Sequence, residues 1–303
     1  MSGTDVPQEV ERIRARSVER TMPCGEGRMV WRVWGAGPPA VLLHGGSGSW
    51  THWLRTIPAL ENKFRLYVAD IPGMGDSDLP PFAYDSDRLQ ESTDRLAEVV
   101  CAGIAELIPD ERYGLVGFSF GSVMGGYVAA RHNDRITSFT TIGAAALGVP
   151  WPGLTGSLRS LEDGMTTDEI MAVQRHNLHV IMLSTPPDDI DDLAAWLQSE
   201  NTRRARIRSH MVAPSDILRR ALERVDAPLT AIWGREDVFA NPNLAERVQV
   251  VTDMHPSAAV HILDGVGHWA MYEGANQVND LVLAALSRHS PPSSEAGALR
   301  STA

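Results

Sequence analysis

The sequence has few cysteines, no long apolar run and no excess of basic charge. Only Cys24 and Cys101 occur in 303 residues. They stand far apart, so neither a metal-ligand pair nor a disulfide framework is on offer, and both read as unpaired thiols. No stretch approaches the about 18 consecutive apolar residues that cross a bilayer. The opening, MSGTDVPQEVERIRARSVER, is charged and has no apolar centre, unlike a secretory signal. The simplest expectation is a cytoplasmic location. The 27 Lys and Arg are outnumbered by 38 Asp and Glu, giving a formal net charge of −11. Such a chain lacks the basic face that nucleic acid needs, and anionic membrane surfaces do not attract it. The expected partner is therefore a small-molecule substrate, with no nucleic acid and no membrane. A homo-oligomer is compatible with the sequence.

What is present suits a globular α/β domain. Apolar residues make up 43% and charged residues 21%, ordinary values for a packed protein. Short apolar runs bounded by Gly, Pro or Asp predict strands at 29–34, 40–43, 65–69, 113–118, 138–142, 229–233 and 259–263. Their continuous apolar character suits strands buried on both faces. Helices are predicted at 87–105, 122–131, 243–252 and 271–287. Alternating strands and helices imply a mostly parallel sheet flanked by helices. The alternation breaks near Gly148 and resumes near Pro228, and Pro150, Pro152, Pro186, Pro187 and Pro214 punctuate the helical stretch between them. The expected organisation is a polar arm or short helix at 1–20, a core at 21–148 and 227–288, a helical cap at 149–226 and a flexible tail at 289–303. A long insertion at this point of a parallel sheet suits an active-site lid.

The sharpest motif is Gly117-Phe118-Ser119-Phe120-Gly121, which follows the apolar run YGLVGF and precedes SVMGGYVAAR. Strand before and helix after make this a tight turn that lifts a serine above the sheet. A serine hydroxyl needs a base, and the base needs an orienting acid. His268, in Gly265-Val266-Gly267-His268, follows one late strand; Asp237, in Trp233-Gly234-Arg235-Glu236-Asp237, follows another. Both stand where ligand sites of open α/β sheets gather, at the carboxyl ends of strands. Glu236 and Asp264 are nearby carboxylates expected to face solvent. The segment Gly143-Ala144-Ala145-Ala146 has no carboxylate, which removes the other obvious place for the acid. His44-Gly45-Gly46-Ser47-Gly48 can aim backbone N–H groups at a developing oxyanion. The expected donors are the N–H of Phe120 and of Gly46, with Ser47 as the second choice. No Gly-Lys-Ser/Thr ending supports a phosphate loop instead.

Together, HGG after a buried strand, Asp70-Ile-Pro-Gly-Met-Gly-Asp-Ser77, Gly-Phe-Ser-Phe-Gly, Gly-Arg-Glu-Asp237 and Gly-His268-Trp269 resemble the α/β-hydrolase superfamily over nearly the whole chain. Ser119 sets it apart from haloalkane dehalogenases and epoxide hydrolases, which carry Asp there. The chain is similar to capped carboxylesterases and to hydrolases of meta-cleavage products, which cut a C–C bond beside a keto group. The resemblance implies a serine hydrolase with an acyl-enzyme intermediate and no cofactor or metal. His268-Trp269-Ala270, the cap and the segment Asn201-Thr-Arg203-Arg204-Ala-Arg206-Ile-Arg208 point toward the C–C group, in which a cap arginine binds the substrate carboxylate. Phe118 points away, because that group has Asn before its nucleophile. A small to medium carboxylic ester is the expected substrate, with a 2-hydroxy-6-oxo-dienoate as the alternative. A slow hydrolase serving as a ligand receptor is a further reading.

Lesser features stay open at this level. Arg203 and Arg204 are the candidate anion ligands, against a solvated helix face pairing with Glu200, Asp191 and Asp192. Ser47, Phe118 and Trp269 are candidate substrate contacts. Trp50, His52 and Trp53 either line the acyl pocket or are simply buried. Met165, Met171, Met182 and Leu183 could give the cap an apolar underside. His176 and His179 lack a third ligand at metal spacing and read as cap residues.

Overall fold

A computed structural model describes residues 6–85 and 87–288. Eight strands form one sheet: β1 (Val18–Cys24), β2 (Gly27–Trp34), β3 (Pro39–Leu43), β4 (Arg65–Ala69), β5 (Tyr113–Phe118), β6 (Ile136–Ile142), β7 (Leu229–Gly234) and β8 (Ala259–Leu263), in the order β1-β2-β4-β3-β5-β6-β7-β8. β1 and β2 pair antiparallel, as do β2 and β4; the remaining neighbours are parallel. Every residue of β3, β5, β6 and β7 is buried. That is why these strands read as unbroken apolar or β-branched runs: helices cover both faces. Each fully buried Leu, Val or Ile contributes roughly 1.5–3 kcal/mol through removal from water.

The helices are α1 (Gln8–Arg14), α2 (Ile57–Leu60), α3 (Leu89–Leu107), α4 (Phe120–Arg131), α5 (Thr167–Ile181), α6 (Asp192–Arg204), α7 (Ile217–Leu222), α8 (Leu244–Met254), α9 (Ala270–Glu273) and α10 (Ala275–Arg288). α4 is the central one, buried from Phe120 to Ala129. It is apolar nearly all round because it packs on β5, β6, α3 and α7 at once.

Within residues 1–20, the described part holds the short helix α1 and the start of strand β1. Helix α1 buries Val10 and Ile13, and Trp34 Nε1 donates to the Ile13 carbonyl at 2.9 Å. Strand β1 begins at Val18 and was not legible, because most of its residues are exposed on an edge strand. Residues 289–303 lie outside the described residues.

Between β6 and β7 the regular elements are helical: α5, α6, α7 and two short 3₁₀ turns. Thr166 and Glu169 form a reciprocal cap at the start of α5, an arrangement worth about 1 kcal/mol. Asp191 caps α6 through Ala194 N. The same carboxylate accepts from Tyr272 Oη at 2.6 Å and Arg55 at 3.0 Å, so the helix start is also tied to the sheet-bearing part of the chain. No helix among the described residues is long and apolar enough to cross a membrane.

Candidate active site

Ser119 sits between β5 and α4 with φ +50° and ψ −115°. A serine held at positive φ is strained backbone, the mark of a functional turn. The turn survives because Gly117 and Gly121 carry no side chain: a Cβ at Gly121 would collide with the Leu43 carbonyl, and one at Gly117 with the Gly121 carbonyl. Ser119 Oγ lies 2.9 Å from His268 Nε2. His268 Nδ1 lies 2.9 Å from Asp237 Oδ2. The other oxygen of Asp237 accepts from Phe239 N at 2.9 Å. Asp237 and His268 are almost wholly buried, while Ser119 remains partly accessible. With Nδ1–H donated to the carboxylate, Nε2 is the free acceptor for the serine proton. Asp264 is exposed and pairs with Arg235, and Glu236 is exposed. Neither carboxylate reaches His268.

Gly143, the first residue after β6, has φ +57°, and a Cβ there would lie 2.9 Å from His268 Cε1. The position matters for passage of the imidazole as much as for lacking a carboxylate. Over the imidazole, Phe239 packs at 4.5 Å and Phe118 at 5.0 Å between ring centroids, and Trp151 stacks on Phe239 at 5.3 Å. Arg247, fully buried on α8, anchors the turn after Asp237 by donating to Ala240 O at 3.1 Å. Sequence reading did not single out Phe239, Trp151 or Arg247, because none carries a local motif.

Gly46 and Ser47 follow β3 and are both partly accessible. Neither the Gly46 N–H nor the Phe120 N–H donates to a protein acceptor among the described residues. Two unpaired backbone donors beside Ser119 would suit a developing oxyanion. Ser209, from the short turn before α7, packs against Gly46, where a Cβ would collide with Ser209 Oγ. The loop is fixed from below by buried polar groups. His44 Nδ1–H donates to Gly45 O at 2.7 Å and its Nε2 accepts from Ile71 N at 2.9 Å. Gly45 N donates to His52 Nδ1 at 3.2 Å. Asp70 accepts from Trp50 N at 2.6 Å and Asp76 N at 2.9 Å.

Burial lowers His44 to about 4, and it must stay neutral because its Nε2 is already an acceptor. Burial, then the neighbouring His44 and His268, lower His52 well below the usual histidine range. In the unfolded chain such a histidine titrates near ~6.5. The folded value is depressed, so the His44 contribution to stability is complete above ~6.5 and is lost as pH falls through about 4. For His44 the loss is on the order of 3 kcal/mol. Asp70, raised by burial to about 7, acts in the opposite sense, favouring the fold as pH falls through that value. The expected result concerns His44 alone: thermal unfolding from pH 7 to 4 should give a shallower fall in stability for His44→Asn than for the unchanged protein. Equal slopes would remove His44 as the acid-sensitive group.

Several candidate contacts are elsewhere. Arg203 is mostly exposed and pairs with Glu200; Arg204 pairs with Glu200 and Asp76. Both line a cleft of about 550 Å³ with Trp50, Asp70, Trp196 and Asn201. Ser119, Asp237 and His268 are not among the residues bordering that cleft. Both arginines at the C-terminal end of α6 are taken up in ion pairs, which sequence spacing could not reveal. Asp191 and Asp192, offered as their partners, instead bind Arg55 and Arg175. Trp269 is fully buried and donates from Nε1 to His52 O at 3.1 Å; Phe118 is buried between His52 and His268. Both are almost wholly buried. Trp50, His52 and Trp53 are likewise buried. His176 and His179 bond to the carbonyls of Ser157 and Thr185.

The comparisons with known proteins agree with this architecture. A family model described as "alpha/beta hydrolase fold" matches residues 38–179. A pimeloyl-[acyl-carrier protein] methyl ester esterase of Aeromonas hydrophila is 24% identical over 77% of this chain and 89% of its own length. A 2-hydroxy-6-oxononadienedioate/2-hydroxy-6-oxononatrienedioate hydrolase of Burkholderia vietnamiensis is 27% identical over 94% of this chain and 100% of its own. Among solved structures, an esterase from Rhodococcus sp. ECU1013 superposes with a TM-score of 0.68 at 20% identity, covering 91% of this chain and 100% of that one. A meta-cleavage product hydrolase from Pseudomonas fluorescens IP01 also gives 0.68, at 21% identity, covering 89% and 98%. The chain has the α/β-hydrolase fold. It is a hydrolase, similar both to esterases and to hydrolases of C–C bonds.

Proposed function

We propose that the protein is a serine esterase acting on a small to medium carboxylic ester through an acyl-enzyme. The carrying observation is the unbroken relay from Asp237 through His268 to Ser119, with 2.9 Å at both links. His268 Nε2 takes the hydroxyl proton as Oγ attacks the carbonyl carbon. The new oxyanion rests on the N–H groups of Gly46 and Phe120. His268 then returns the proton to the departing alcohol. Water, deprotonated by the same imidazole, cleaves the acyl-enzyme. Asp237 holds Nδ1–H throughout and stabilises the imidazolium. The chemistry uses no cofactor or metal. A cytoplasmic setting, a small-molecule partner and no nucleic acid or membrane belong to the same reading.

A C–C hydrolase has to grip the carboxylate and oxo groups of a dienoate while the dienol becomes a ketone. The two arginines suited to that role are already ion-paired, Arg203 with Glu200 and Arg204 with Asp76, and Phe118 offers no hydrogen bond. Simple esters are therefore expected to exceed a 2-hydroxy-6-oxo-dienoate in kcat/KM by at least tenfold. Assaying a short-chain p-nitrophenyl ester and the dienoate on one preparation decides this. Faster turnover of the dienoate would replace the esterase reading with the C–C one; no turnover of either would favour the receptor.

A further inference from the structure

Glu273, at the end of α9, is used by no step above, yet its carboxylate is the most heavily bonded acceptor near the site. Oε1 accepts from Thr185 N at 2.8 Å and Thr185 Oγ1 at 2.7 Å. Oε2 accepts from Ser184 N at 3.1 Å and Gly267 N at 2.5 Å. Ser184 Oγ lies 2.9 Å from both Glu273 Oε1 and the Gly265 carbonyl, and its one proton serves either. Burial alone would raise the pKa of this carboxyl. Bonds from Thr185, Gly267 and Ser184 outweigh burial and hold it below the usual range.

The donors come from two places. Ser184 and Thr185 follow α5 in the helical insertion; Gly267 immediately precedes His268. The residue after His268 is tied to the same insertion, since Trp269 N donates to Met182 O at 2.7 Å. The backbone of the imidazole-bearing loop is thus held on both sides by residues 182–185, with Glu273 as the clasp. Close packing enforces it: a Cβ at Gly267 would lie 2.8 Å from Ser184 N.

We propose that Glu273 is a positioning residue that couples the helical insertion to His268, so that seating of the insertion sets the reach of Nε2 to Ser119. It rests on the reading of His268 as general base. A carboxylate suits the task because it only accepts. Glutamine would turn an NH₂ toward N–H and O–H donors and leave some of them unsatisfied in a half-buried place. Displacing an imidazole by about 1 Å can cost on the order of a hundredfold in rate.

The test is the second-order rate of Ser119 phosphonylation by a fluorophosphonate, read by peptide mass, beside kcat and KM for a short-chain ester. Glu273→Gln should slow labelling and kcat by about 10–100-fold, with KM changed far less. Glu273→Asp should recover part of the loss. A merely structural role would lower Tm and leave the labelling rate of the folded protein unchanged, which overturns the proposal. Should Glu273→Gln not fold, Thr185→Val removes one bond of the clasp, and a labelling rate equal to the unchanged protein's overturns the coupling. Failure of the unchanged protein to be labelled at Ser119 is a different outcome. It overturns the esterase reading and this inference with it.

Discussion

Ser119→Ala is expected to lower kcat by on the order of a million-fold, about 8 kcal/mol in the barrier, the usual loss for a triad serine. Among the described residues, Ser119 Oγ is the only hydroxyl bonded to His268 Nε2. Removing it leaves no atom that can both lose a proton to the imidazole and form the acyl bond. Residual activity would come from the Gly46 and Phe120 N–H groups and from binding alone. The backbone strain at φ +50° is as tolerable to alanine as to serine, and the side chain is partly accessible. Tm should therefore move by no more than a few degrees. Circular dichroism melting beside steady-state kinetics checks both halves. A folded variant that keeps more than roughly a hundredth of kcat, far above that million-fold loss, would place the nucleophile elsewhere.

Asp237→Asn is expected to lower kcat by about 10³–10⁴-fold, as for triad acids generally. Phe239 N needs an acceptor at this side chain, so the amide oxygen of asparagine stays on that donor. Its NH₂ then faces His268 Nδ1. The imidazole must present a lone pair there and carry its proton on Nε2, where it can no longer receive one from Ser119. Asp264→Asn is the matched control. Asp264 is exposed and holds only a surface pair with Arg235, worth at most about 1 kcal/mol. The control should change kcat by less than about twofold. A severe loss in the control with a mild one at position 237 would reassign the acid.

Some of this was legible in the sequence, and the reasons differ by element. Strands buried on both faces, such as β3, β5 and β7, announce themselves as apolar runs. Edge strand β1 does not, because Val18 to Thr21 face solvent. Ser119, Asp237 and His268 could be grouped from the sequence because each sits beyond the carboxyl end of a strand in a glycine-marked turn. The contacts of Arg203, Arg204, Phe118 and Trp269 were not. Which way α6 faces depends on how it docks, and four arginines in six residues look alike whether they meet a substrate or Glu200 and Asp76. The supports of the site were also hidden. His44, His52 and Asp70 bond mainly to backbone atoms, and the contact of Glu273 with Ser184 spans 89 positions. Pairings of that kind leave no periodic trace.

The central claim is that hydrolysis passes through an ester on Ser119. The direct measurement is acid quench during turnover of a p-nitrophenyl ester, followed by peptide mass analysis. The account expects the substrate's acyl mass on the peptide containing Ser119, formed together with a burst of p-nitrophenol, and absent from Ser119→Ala. Steady turnover with an acyl adduct mapped to another residue would contradict it.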